Sequence, residues 1–67
     1  MKFKIGDLVT LSAAGRKIDQ NSPVKTGFGM VISFTNKQWP IQCQWFGGDQ
    51  DTYSFKPYEL KFFKQNS

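Results

Sequence analysis

Five carboxylates are available for acid–base work in this 67-residue sequence: Asp7, Asp19, Asp49, Asp51 and Glu59. Catalysis by such a group needs a perturbed pKa and hydrogen-bond reach to a substrate. Asp49 and Asp51 lie two residues apart in a Gly-rich turn, where water solvates them, and no spacing points to a desolvated carboxylate. Ser12, Ser22 and Ser54 have no activating partner, because the chain contains no histidine. Gly27-Phe28-Gly29 lacks the third glycine and the following helix of a phosphate-binding loop. A metal centre would have to draw on Asp49, Asp51 and Glu59, and with a single cysteine neither a zinc finger nor a disulfide framework can be built. Cys43 shares a strand face with Ile41 and Trp45, which predicts a buried thiol rather than a nucleophile. These residues point away from an enzyme, and no cofactor or metal is expected.

Binding chemistry is better represented. Eight Lys and one Arg against four Asp and one Glu give a net charge of +4 and a pI of about 9.5. The excess is confined to residues 1–37, with six basic and two acidic side chains; residues 38–67 carry three of each. A basic domain favours polyanions, of which nucleic acids are the longest in a cell. The same charge also serves ordinary solubility. Aromatic residues reach 16%, with seven Phe. The start, Met1 to Asp7, has no apolar h-region, and the longest apolar run, Met30-Val31-Ile32, is far below the roughly 20 residues of a membrane helix. With a lone cysteine, the expected compartment is a reducing one, the cytoplasm, without membrane association.

The elements that must position these groups read as strands. No stretch of ten residues keeps a helical period. Leu8–Leu11, residues 27–34, residues 40–46, Thr52–Phe55 and residues 61–64 are the five strand segments. The third is the clearest, with Ile41, Cys43 and Trp45 on one face and Gln42, Gln44 and Phe46 on the other. The second mixes both faces, so either Val31 or Met30/Ile32/Phe34 points inward, and a bulge near its glycines could allow parts of both. Lys56-Pro57-Tyr58-Glu59-Leu60 suits a single 3-10 turn before the last strand. Residues 12–24 form a long first loop, with one helical turn over residues 13–17. The whole chain, 1–67, is one all-β domain with its core between residues 3 and 64, a fraying tail at 65–67 and a radius of gyration of roughly 11 Å.

Four local motifs carry a resemblance: Gly6-Asp7-Leu8-Val9-Thr10-Leu11, Gly27-Phe28-Gly29-Met30-Val31, Cys43-Gln44-Trp45 and Tyr58-Glu59-Leu60. In this order they resemble the SH3-like and Sm-like small barrels, with the run seen in KOW-type and Tudor-type domains. Residues 39–46 are also similar to short open reading frames of marine cyanophages, which implies a phage protein. The barrel resemblance covers residues 3–64 and specifies fold more than function. It implies a five-stranded barrel in which Gly27 and Gly29 relieve crowding at a bend, Trp45 fills the core and Leu60 plugs one end.

In such barrels the first and last strands run side by side. That expectation gathers Lys2 and Lys4 with Lys61 and Lys64 into a basic strip, to which Arg16, Lys17 and Lys25 add charge from the long loop. Edge lysines also blunt aggregation. Small barrels that bind single strands stack bases on exposed rings. The core is too small for Trp39, Phe46, Tyr53, Tyr58 and Phe63 besides Trp45, and Trp39, Phe46 and Tyr53 are the expected stacking residues. Peptide-binding SH3 domains carry acidic residues in the first loop, whereas here Arg16 and Lys17 outnumber Asp19. The expectation is a non-enzymatic module for RNA or single-stranded DNA, prone to form homo-oligomers; the alternative is a protein–protein or structural oligomer module.

Overall fold

The computed structural model describes residues 2–47 and 52–63 of the chain. The expected carboxylate turn with Asp49 and Asp51, and Lys64 with the tail, lie outside the described residues. Along the chain come strand β1 (Leu8–Leu11), a one-turn helix α1 (Ala13–Arg16) and a 3-10 helix (Asp19–Val24). Strands β2 (Phe28–Phe34), β3 (Ile41–Phe46) and β4 (Thr52–Phe55) follow, then a 3-10 turn (Pro57–Glu59) and strand β5 (Leu60–Phe62). The strands form one antiparallel sheet in the order β4-β3-β2-β1-β5. The fold is therefore all-β and five-stranded, and β4 and β5 are the two ends of the sheet order. The Cα radius of gyration is 10.8 Å.

Register sorts the paired strand residues onto two faces. Val9 lies opposite Gly29 and Phe62, Leu11 opposite Leu60, Gly29 opposite Trp45, Val31 opposite Cys43, and Ile41 opposite Phe55. Since cross-strand partners share a face, these residues make the inner one. Of them Val9, Leu11, Val31, Ile41, Cys43, Trp45, Phe55 and Leu60 form the core together with Phe3 and Val24. The outer face carries Leu8, Thr10, Phe28, Met30, Gln44, Phe46 and Lys61.

The mixed run of β2 resolves through a shift in pairing. Val31 faces Cys43 but Ser33 already faces Gln42, so Ile32 is the extra residue of a bulge. That puts the irregularity in the middle of the strand rather than near the glycines, and it is Val31 that the core takes. Gly29 has its own reason to be glycine. A Cβ there would run into the six-membered ring of Trp45 and lie 3.0 Å from the Gln44 carbonyl oxygen. The indole can lie flat across β2 only because that position is bare. Its Nε1 donates to the Thr26 carbonyl at 3.1 Å, which ties the end of the first loop to the core.

The first loop is built, not slack. Ser12 caps α1, its Oγ accepting from the Gly15 amide at 3.1 Å and donating to the Tyr58 carbonyl at 2.6 Å. Gly15 packs on the backbone of Glu59, where a Cβ would overlap the carbonyl. Asn21, in the 3-10 helix, donates from Nδ2 to the Gly15 carbonyl at 3.0 Å and to Glu59 Oε1 at 2.9 Å. Glu59 Oε2 accepts from the Lys56 amide at 2.6 Å. Glu59 is 2% exposed, so the expectation of no desolvated carboxylate is corrected. One oxygen ties the loop to the turn and the other closes the turn on its own first residue, so both are satisfied, which is how a buried acid is tolerated. The 3-10 helix and the burial of Phe3 and Val24 also go beyond the sequence reading, and β5 begins at Leu60 rather than Lys61.

Candidate nucleic-acid interface

Arg16 and Lys25 stand at the two ends of the pinned loop segment, and Lys61 sits on the outer face of β5 opposite Thr10. All three line one cleft of about 540 Å³, together with Thr10, Thr26, Gly27, Phe62 and Phe63. Among the described residues no acidic side chain lines it. The Thr26 carbonyl is occupied by the Trp45 indole, and the Gly27 carbonyl accepts from Thr10 Oγ1 at 3.4 Å. Two acceptors that would repel an anion are thus already engaged by donors. The result is a cationic concavity whose aromatic wall is Phe63; Phe62 borders it from β5, but its ring turns to the inner face, 4.9 Å from Phe3.

An aromatic stripe continues from this wall over the outer face. The Phe63 ring stacks on Phe28 with centroids 4.7 Å apart and 23° between planes, and Phe28 meets Phe46 at 5.2 Å. Phe46 is 41% exposed, as the alternation of β3 predicts. Phe28 and Phe63 are half-buried members that sequence reasoning missed as site residues. Phe63 was expected to be left out of the core but was not named as a site residue, and the alternation that places Phe28 says nothing without the register that aligns it with Phe46.

The remaining expected site residues fall elsewhere. Lys2 Nζ lies over the rings of Phe3 at 5.2 Å and Phe62 at 5.9 Å and is not among the residues that line the cleft. Lys4 belongs to the preceding turn, its amide donating to the Asp7 carboxylate at 2.8 Å, and it is not among the lining residues. The partners that the structure brings to Lys61 are therefore Arg16 and Lys25 rather than Lys4. Lys17 is exposed just past α1 and also stays outside the cleft. Trp39 is 40% exposed before β3, with Lys56 Nζ 5.6 Å from its ring, away from the Phe stripe. Tyr53 was expected to be a stacking residue; it lies opposite Cys43 on the inner face and packs half-buried against the core, its ring 6.4 Å from Phe55.

Burial holds the Cys43 thiol at a pKa of about 12, against an ordinary 9.0, because the thiolate would have to be desolvated. Among the described residues no group of three His, Cys, Asp or Glu could hold a metal ion. Nor is any described helix long and apolar enough to cross a membrane. No family model, curated protein or solved structure matches the chain.

Proposed function

We propose that this chain is a non-enzymatic nucleic-acid-binding module, with a single strand of RNA or DNA as its ligand. The observation that carries this reading is the convergence of Arg16, Lys25 and Lys61 on one cleft with Phe62 and Phe63. Cations there neutralise backbone phosphates and release counterions. The rings of Phe63, Phe28 and Phe46 offer a surface on which unpaired bases stack, at about 1–3 kcal/mol per base. A duplex keeps its bases stacked inside and cannot use that surface.

The scaffold is read as an SH3-like or Sm-like barrel. Its support is that Phe55 from one end of the sheet order and Leu60 from the other belong to one core cluster, which requires the sheet to curl. The pairing of β1 with β5 and the 3-10 turn before β5 agree with that pattern. A second reading, a protein–protein or structural oligomer module, rests on the exposed Ile5, Phe34 and Trp39, none of which lines the cleft.

Fluorescence anisotropy with labelled oligonucleotides tests the first reading. At about 20 mM salt the protein should bind single-stranded DNA or RNA more tightly than duplex of the same length. The Arg16→Ala/Lys61→Ala variant should bind at least about tenfold more weakly. Absence of binding to every oligonucleotide at that salt would remove this function and leave the protein–protein reading.

A further inference from the structure

Charge density inside the cleft sets it apart from a groove that merely follows a backbone. The open cleft, about 540 Å³ and on the order of 10 Å across, has room for one or two nucleotide units. Among the described residues that line it, three are cationic and none is acidic. An internal phosphodiester brings a single negative charge. One or two of them would leave the cleft under-neutralised. A terminal phosphate monoester carries about −1.5 to −2 at pH 7 and three acceptor oxygens. With the neighbouring diester it brings close to three charges.

The donor set suits such a group. Arg16 can fork two oxygens of one phosphate, while Lys25, from the loop, and Lys61, from β5, act as point charges. Phe63, stacked on Phe28, gives the cleft an aromatic wall against which the terminal base can lie.

We infer that the cleft is an end-binding subsite, which takes the phosphorylated terminus of a single strand. This inference rests on the nucleic-acid reading proposed above. The remainder of the strand then leaves over Phe63, Phe28 and Phe46.

The test compares three oligonucleotides of one sequence, bearing a 5′-phosphate, a 3′-phosphate or no terminal phosphate, by competition at fixed ionic strength. One phosphorylated form should bind about tenfold more tightly than the unmodified strand. Which form it is identifies the end that the cleft accepts. The advantage should vanish in Arg16→Gln and Lys61→Gln, while Lys37→Gln, on a residue outside the cleft, keeps it; circular dichroism of each variant confirms that it is folded. Equal affinity for all three strands overturns end recognition and leaves backbone binding intact. Binding of none overturns both.

Discussion

At the scale of single residues, two positions are decided by what they leave empty. Gly29 leaves the bed for Trp45, and Gly15 allows the first loop to touch the Glu59 backbone. Gly29→Ala should destabilise the fold by about 1–3 kcal/mol, the range for overpacking a filled core. Urea unfolding followed by Trp fluorescence reads this, and an unchanged midpoint would contradict the packing. Cys43 links the core to pH. Its folded pKa is raised, so below about pH 9 the thiol is protonated both folded and unfolded, and its contribution to stability is fully present. Above pH 9 only the unfolded chain ionises. Stability should therefore fall from pH 9 toward 12, by at most about 1.4 kcal/mol per pH unit from this group. The difference in stability between the wild type and Cys43→Val, followed across that window, isolates the thiol from the tyrosines. A difference that stays constant with pH would contradict the burial of the thiol. The position of Cys43 was legible, because Ile41 and Trp45 flank it at a spacing of two in a strand with polar alternates. Glu59 was not. Its burial depends on Asn21, 38 positions away, and no local pattern announces that pairing.

Among the elements, legibility follows the range of the interaction that defines each one. β1, β3, β4 and the Pro57 turn are set by alternation, glycine and proline within a few residues, and the sequence reading has them nearly in place. The bulge at Ile32 is a property of how β2 pairs with β3, and a mixed apolar run looks the same wherever the bulge lies. The candidate site divides in the same way. Arg16 and Lys25 were expected to add charge to the strip that holds Lys61, but that these three and not Lys4 or Lys17 share a cleft depends on how the loop folds down. Asn21 holds it there, through the Gly15 carbonyl and Glu59. Asn21→Ala leaves Glu59 Oε1 without that donor and should cost about 1–3 kcal/mol. Amide hydrogen exchange should quicken across residues 13–25 more than in β3, and oligonucleotide affinity should drop although no cleft-lining residue has been changed. Uniform quickening over the whole chain would mean that the bridge serves global stability only.

For the whole molecule, the surface divides between the cationic cleft with its outer-face Phe stripe and the separate apolar groups Ile5, Phe34 and Trp39. The apolar groups predict self-association at high concentration, and a strictly monomeric mass by light scattering at millimolar protein would contradict it. The cleft predicts a salt dependence. With three phosphate contacts on a single strand, log K should fall against log salt with a slope near −2, since each contact contributes about −0.7. Removing Arg16 and Lys61 together should flatten that slope by about 1.4. The most direct measurement is an NMR titration of the labelled protein with a short single-stranded oligonucleotide. The proposed interface predicts that the largest amide shifts fall at Arg16, Lys25–Gly27 and Lys61–Phe63, extending to Phe28 and Phe46. Shifts centred instead on Trp39 and Lys56, or spread evenly over the lysines, would contradict it.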